Sequence, residues 1–576
     1  MTTLPADLNK QITITLFVRR STYNGMTVKD HADGIVAGTH SILTHDEFET
    51  MFGASDSDID SVVHFVEQAG LTVTYSHCCA ASVIAVGTVS QINSAFGIAL
   101  NDVTTSERTY MTYTGSITLP ENLKDVVEYI DGLDTSSHHI PTVRPVPAVA
   151  TPTPGYNTAL VKPQVAATAY NFPGNNNGTD GVGQVIALIE PFGSGGYTSQ
   201  NLTSTFTTYG ITGTTVVPVT LDGTVNNPSL ASSPNVNAEI MLDIAMVAGI
   251  VPKSTIVVYI CTSYVTAFNA ILYDTPGTGY YPKIVSISAC QPEGNSAYYT
   301  AVDNLIYQAA VLGVTIIVAS GDWGPYTGPV GSVGRQYGAC WPASNPNVLA
   351  VGGTSLALNS NGSIASEVTW NNNGEDYHIT GGNQSTRYAV PYYQTGKLTL
   401  KNYATGISSA PTGRAVPDVA FVGDPYTGFT YYYYNDSSNQ NFQNTQGGGT
   451  SASAPLWAGL MARINQLTGT SSGFINNTFY TNTVAFNDIL PTAVANNNAY
   501  LGVGFSTTTG WDACTGWGSP KGHLVYNIIA NNGIKVKTAS STWSSVQNIS
   551  IKTAANTWTT VDRVWTKTAS GWLQTY

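Results

Sequence analysis

The sequence predicts an α/β protein, with a mostly parallel sheet flanked by helices, a small α+β domain before it and a short β-repeat tail after it. Three observations predict this. Between about residues 155 and 530, nearly all-apolar strands alternate with helical stretches, as expected for a parallel sheet covered on both faces. Residues 1 to about 145 mix alternating strands with amphipathic helices and hold seven of the nine histidines. After residue 533 a 15-residue unit recurs, a signal of stacked β units.

Each element has its own local justification. Residues 12–18, 71–75 and 82–86 alternate apolar and polar side chains and are predicted strands. Thr44, followed by Asp46 and Glu47, caps a helix over 44–52, and a second helix over 58–69 closes at Gly70. The Pro-rich stretch 140–154 is extended, within a protease's reach, and reads as a linker. Beyond it, strands are predicted at 185–189, 255–260, 284–288, 315–319 and 348–351, with helices at 237–248 and 300–312 among them. In the tail, Lys537, Lys552 and Lys567 each precede a tryptophan (Trp543, Trp558, Trp572), and five basic residues face one acid, Asp562. The tail is thus an added module of different charge from the rest.

Composition narrows the function. The 576 residues are 42% hydrophobic and 10% charged, which excludes a disordered or collagen-like chain. With 22 Lys+Arg against 35 Asp+Glu, the net charge of −13 argues against nucleic acid as a partner. A surface wetted by neutral polar groups changes little as carboxylates protonate, which suits acid. No run reaches the roughly 18–20 apolar residues of a membrane span, so no membrane association is expected. The N-terminus reads as a strand rather than a secretory signal. Export would then need a removed signal, release by lysis, or packaging in a particle. The six cysteines have no metal-type spacing, and buried free thiols are the favoured reading over one or two disulfides.

The chemistry-bearing residues lie after residue 150. Ser451 follows a glycine-rich turn, 447–449, at the mouth of a helix, which suits a nucleophile near backbone N–H groups or a simple N-cap. A base is scarce: only His378 and His523 occur in this region, and neither follows a strand. Glu239 and Asp243 stand four residues apart on one face of an otherwise apolar helix. Buried together they would repel and share a proton; the alternative is an exposed acidic edge or a capping contact. Asp322 follows an apolar strand, where sites collect in open α/β sheets, although beside Gly321 it also reads as a turn former.

Taken together, Gly449–Pro455, Glu239 with Leu242–Ile244, and Ser320–Gly324 followed by 341–354 resemble the motifs of the sedolisin family of serine-carboxyl peptidases, which share the subtilisin-like fold. The resemblance implies Ser451 as nucleophile, Glu239 as general base, Asp243 as its partner and Asp322 as the oxyanion acid. Residues 43–48, 87–91, 95–97 and 132–134 resemble the family's antiparallel inhibitory propeptide. The implied organisation is a propeptide over 1–145, a processing linker over 146–157, a peptidase over 158–530 and the repeat tail over 533–576. The expected partners are polypeptide substrates and the chain's own propeptide as inhibitor. Segments 486–489 and 510–520 resemble the family's calcium site, implying one Ca2+ held by Asp488, Asp512 and the carbonyls of Ile489, Thr508 and Gly510. Ser288, Ala289, Gly321 and Gly449 would line the substrate cleft, and Glu190 would stand behind the catalytic pair. Ala289 and Cys290 depart from the aromatic residue and glycine usual there.

The leading expectation is therefore an acid-acting endopeptidase made as a zymogen, working outside the cell or in an acidic compartment. Two readings stand beside it: a His-dependent subtilisin served by His378 or His523, and a catalytically idle structural protein attached to a particle or surface by its tail.

Overall fold

The computed structural model describes all residues except 106–108, 137–139, 142–143, 148–161, 175–177, 333, 373–377, 435–441, 492–495, 531–534, 540–541, 546–549, 555–556, 561–564, 569–570 and 575–576. In the strands at 140–147, 442–444 and beyond 534, only the backbone is described. Most of the expected processing linker, 148–157, lies outside the described residues.

The central sheet runs in the order Thr215–Thr220, Thr255–Ile260, Val185–Glu190, Ile284–Ile287, Thr315–Ala319, Leu349–Leu358, Ile364–Thr369, and Val419–Val422 also pairs with Leu349–Leu358. Every pairing is parallel except that of the edge strand Ile364–Thr369. The two-residue side-chain period divides the core cleanly. Ile186, Leu188, Ile256, Val258 and Ile317 face the helices Pro234–Ile250 and Thr450–Thr468. Ala187, Ile189, Val257, Tyr259 and Val318 face the helices Tyr264–Tyr273 and Ala297–Val311. The predicted strand 348–351 starts one residue later and continues to Leu358 through Gly352 and Gly353. Glycines interrupt an apolar pattern, yet here a Cβ would meet Pro417 at 2.9 Å and Trp370 at 2.8 Å, so close packing demands them.

The N-terminal domain has a four-stranded antiparallel sheet, Thr72–His77, Ser82–Thr88, Gln11–Val18, Val127–Asp131, and a three-stranded one, Thr2–Pro5, Ala99–Thr104, Thr109–Thr114. Thr44 caps helix His45–Phe52 through a reciprocal capping box with Glu47. The next helix is Asp56–Gln68, two residues earlier than the pattern suggested, because Ser55 Oγ accepts the Asp58 N–H and caps it.

This domain seats on helices Tyr264–Tyr273 and Ala297–Val311. Phe48 and Phe52 join their apolar cluster. Arg20 donates to Tyr273 Oη at 3.2 Å and Gln308 Oε1 at 2.9 Å, and Thr266 Oγ1 donates to Asp131 Oδ2 at 2.8 Å.

The tail forms three antiparallel hairpins: Lys535–Ala539 with Thr542–Ser545, Ser550–Ala554 with Thr557–Thr560, and Trp565–Thr568 with Gly571–Gln574. The sequence repeat is a register repeat, since Lys537 pairs with Trp543, Lys552 with Trp558 and Lys567 with Trp572. No helix among the described residues is long and apolar enough to cross a membrane.

Candidate active site

Four carboxyls and one serine meet beyond the carboxyl ends of the central strands. Helix Pro234–Ile250 begins with a proline in its first turn, where the missing N–H is not needed, and its residues from Val236 to Ile250 are buried all round. Glu239 and Asp243 are both 0% exposed, so neither is an acidic edge, and Glu239 is not the cap, which is Ser233. Helix Thr450–Thr468 opens at Gly449, whose φ of +101° and ψ of 171° are open essentially to glycine alone. That turn delivers Ser451 to Glu239, and the two side chains are hydrogen-bonded.

Burial dominates the electrostatics. It pushes the Glu239 carboxyl well above the usual carboxylate range; Asp243 adds to the rise, and the Ser451 hydrogen bond opposes it. Burial likewise raises Asp243, against the Ser288 hydrogen bond, and raises Glu190, helped by the Asp243 charge. An unpaired buried carboxylate costs several kcal/mol, so a cluster such as this one shares protons that ordinary carboxyls would release. Glu190 ends the central strand Val185–Glu190, and its two oxygens have no hydrogen-bond partner among the described residues.

The proline inside the serine helix has a local consequence. Pro455 lacks the N–H that would normally bond the carbonyl four residues back, which belongs to Ser451. That carbonyl instead accepts from Ser288 Oγ at 3.4 Å, and the same hydroxyl lies 3.0 Å from Asp243 Oδ1. When Asp243 holds a proton, a continuous chain runs from its O–H through Ser288 to the backbone of Ser451.

Asp322 comes two residues after Ser320, past the strand Thr315–Ala319, over a turn in which Gly321 has φ +103°. Its Oδ1 accepts from Thr450 N at 2.9 Å and Thr450 Oγ1 at 2.7 Å, while Gly321 N donates to Thr450 Oγ1 at 3.1 Å. With Oδ1 saturated by donors, the acid form carries its proton on Oδ2. The charge of Asp322 also acts on Glu239. The sequence motifs thus converge on one site, whereas Thr450 and Pro455 went unremarked although both sit inside the serine motif.

His523 lies on helix Gly522–Ile529 with its ring 5.9 Å from that of Tyr526, and His378 is in a loop where its carbonyl accepts from Asn372 N. The group set beside Ser451 is a carboxyl.

Two strands adjoin these groups in sequence, one just after Ser288 and one just before Gly449. Ala289–Cys290 pairs antiparallel with Ile140–Pro141, and Thr445–Gly448 pairs antiparallel with Arg144–Pro147. Two short strands of the segment that leaves the N-terminal domain, Ile140–Pro141 and Arg144–Pro147, thus lie one along each. The favoured reading of free thiols holds for Cys78, Cys79, Cys261 and Cys514. It is corrected for Cys290 and Cys340, which form a disulfide across a separation of 50 residues that spacing alone could not reveal.

Asp488 and Asp512 each accept a backbone N–H from the segment 508–510. Asp488 Oδ2 accepts from Gly510 N at 2.7 Å, and its buried Oδ1 has no hydrogen-bond partner among the described residues. Asp512 Oδ1 accepts from Cys514 N and Thr515 N, both at 2.9 Å, and among the described residues Oδ2 has only Thr508 N at 3.4 Å. Burial raises both carboxyls, Asp512 to about 7, with no cationic side chain among the causes.

Comparison with known proteins identifies the family. Residues 2–136 match the pro-kumamolisin activation domain, and residues 246–518 match the subtilase family. The chain is 34% identical to kumamolisin of Bacillus sp. (strain MN-32) over 534 residues, covering 90% of this chain and 91% of that protein. It is 33% identical to sedolisin of Pseudomonas sp. (strain 101) over 284 residues, 47% of this chain and 44% of that one. The solved structure of Pseudomonas sedolisin, a serine-carboxyl proteinase complexed with two molecules of pseudo-iodotyrostatin, superposes with a TM-score of 0.53 at 26% identity, covering 66% of this chain and all of that one. The chain belongs to the sedolisin family of serine-carboxyl peptidases and carries the family's activation domain at its N-terminus.

Proposed function

We propose that this chain is an acid-acting endopeptidase made as a zymogen, with Ser451 as nucleophile, Glu239 as general base, Asp243 as the base's partner and Asp322 as the oxyanion acid. The observation that carries the reading is the hydrogen bond from Ser451, on helix Thr450–Thr468, to Glu239, on a helix whose other buried acid is Asp243. In the form of the cluster whose shared proton sits on Asp243, Glu239 is ionised and takes the Ser451 hydroxyl proton as Oγ attacks the peptide carbonyl carbon. Asp322 donates its Oδ2 proton in a hydrogen bond to the carbonyl oxygen as that oxygen becomes negative. The C–N bond then breaks, and the leaving amine takes the proton from Glu239. Water attacks the acyl-serine with Glu239 again as base, freeing the acid and restoring Ser451. Asp243 and Glu190 act as a proton reserve behind Glu239. Ser288, Ala289, Gly321 and Gly449 form the walls that a peptide would meet.

The inhibitor is residues 1–145, the peptidase 158–530, and cleavage falls between them. Pairing of Ile140–Pro141 and Arg144–Pro147 with the two cleft walls supports this division, because an extended strand of the chain already fills a substrate's place. Incubating the full-length chain at pH 4 and sequencing the new N-terminus tests it. A new terminus within 146–158 in the wild type, and none in Ser451→Ala, is the expected result; an intact chain after prolonged incubation contradicts it. Work outside the cell or in an acidic compartment follows from the acid requirement.

One Ca2+ fits the group around Asp488 and Asp512. The donor set is all oxygen, the Ile489, Thr508 and Gly510 carbonyls stand in the same segments, and the unsatisfied Asp488 Oδ1 supplies a reason for a cation. The ion would neutralise the two acids and tie residues 488–489 to 508–512.

The tail supports a second, narrower reading, attachment to a particle or surface. Three hairpins presenting Lys opposite Trp in equivalent register make a repeated contact unit. Deleting 533–576 should leave peptidase activity intact while abolishing any particle or glycan association; unchanged association removes the idea.

A further inference from the structure

We propose that the Cys290–Cys340 disulfide is a positioning element for peptide hydrolysis, holding the strand that receives the substrate backbone in register with the turn that aims Asp322. This inference rests on the active-site reading given above. Cys290 ends the strand Ala289–Cys290, the wall that pairs with Ile140–Pro141. Two residues before it, Ser288 reaches Asp243 and the Ser451 carbonyl, so any shift of this strand is felt directly at the catalytic group.

Cys340 belongs to a different segment, brought alongside by a closed pair of backbone hydrogen bonds. Trp341 N donates to Gln291 O at 2.8 Å, and Gln291 N donates to Trp341 O at 3.1 Å. The cysteines stand next to this pair with Cα atoms 5.4 Å apart. Both are buried, 0% and 2% exposed, in a small apolar cluster with Trp323.

The disulfide also lies against the oxyanion turn. A Cβ placed on Gly321 would be 2.5 Å from Cys340 Sγ and 3.7 Å from Cys290 Sγ, so only a glycine fits between the sulfurs and the turn. Gly321 directly precedes Asp322 and donates its N–H to Thr450 Oγ1, which in turn donates to Asp322. Reduction turns one bonded pair into two thiols that must move apart to contact distance. There is no spare room toward Gly321, so the turn, the receiving strand or both have to shift. A displacement of this kind far from the reacting bond lowers turnover because alignment, not folding, is lost.

The disulfide is separable from the other cysteines, since Cys78, Cys79, Cys261 and Cys514 are free. The test uses matured enzyme, with and without TCEP at pH 4, beside a Cys290→Ala/Cys340→Ala variant. For each, kcat, KM, the pH profile and the melting temperature are measured on a fluorogenic peptide, well below the lowest melting point. A fall in kcat of at least about tenfold with a displaced pH profile is expected on reduction, with recovery on reoxidation, and a lowered kcat that TCEP does not change in the double variant, which lacks the tether. If reduction lowers the melting temperature but leaves kcat, KM and the pH profile unchanged, the disulfide is only a staple and the proposal fails. If the oxidised wild type cleaves no peptide, or Ser451→Ala cleaves as well as wild type, the active-site reading itself has failed and takes the proposal with it.

Discussion

Ser288 Oγ lies 3.0 Å from Asp243 Oδ1 and 3.4 Å from the carbonyl oxygen of Ser451, joining the buried acid to the backbone of the nucleophile. The contact exists because Pro455 withholds the N–H that the Ser451 carbonyl would otherwise take. Ser288→Ala should therefore lower kcat by up to about tenfold with little change in KM, since a neutral hydrogen bond to the protonated partner of the base is worth about 0.5–1.5 kcal/mol. Steady-state kinetics on a peptide substrate would show it; a raised KM with unchanged kcat would mean that Ser288 only lines the cleft.

The pH dependence of stability follows from the three raised carboxyls, Glu190, Glu239 and Asp243. A folded pKa above the unfolded value means that the folded enzyme holds protons the unfolded chain releases. Their stabilising contribution is complete below the unfolded values near 4 and is lost as pH rises through the folded ones. Melting temperature should thus be highest in acid and fall toward neutrality. Glu190→Gln, which removes one titrating group at nearly constant shape, should flatten that slope. A wild-type curve that rises from pH 4 to 7 would contradict the assignment.

Asp131 places a similar proton at the joint between inhibitor and peptidase. It is 4% exposed, pushed up to about 6 by burial and then by the charge of Asp222, against hydrogen bonds from Thr266, Ser263 and Tyr129. The docked state is favoured in acid, and the contribution fades as pH rises between about 4 and 6. This pair therefore opposes release at low pH, so escape of the inhibitor depends on cleaving the chain. Asp131→Asn should tighten binding of an isolated 1–145 segment at pH 7 by up to about 2–3 kcal/mol and leave binding at pH 3.5 nearly unchanged. Equal effects at both pH values would remove the linkage.

Calcium should stabilise the mature enzyme by about 3 kcal/mol at a hundredfold excess over its dissociation constant. Chelation should lower the melting temperature, and Asp488→Asn should abolish the response to added Ca2+ while lowering the melting temperature in its presence. A wild-type enzyme whose melting point ignores both chelator and Ca2+ would argue that Asp488 and Asp512 are only turn-forming acids.

Much of this was legible in the sequence because the informative residues break local rules. Two acids in an apolar helix, a serine after a glycine turn and an acid just past a buried strand each contradict simple packing, and all three meet in one place. What stayed hidden depends on distant pairing. Cys290 and Cys340 are joined across 50 residues, and strand 349–358 runs through glycines whose necessity appears only when Trp370 and Pro417 close on them. Thr450 is hidden for the same reason: its N–H and hydroxyl both hold Asp322, 128 residues away in the chain.

The most direct test of the central claim is the pH profile of kcat/KM from pH 3 to 8 for wild type, Ser451→Ala, Glu239→Gln and Asp322→Asn. A serine-carboxyl mechanism predicts an acid maximum for the wild type, with losses of about 10^4-fold or more in Ser451→Ala and large losses in both carboxyl variants. A maximum above pH 7, or a Glu239→Gln enzyme that retains wild-type turnover, would contradict it.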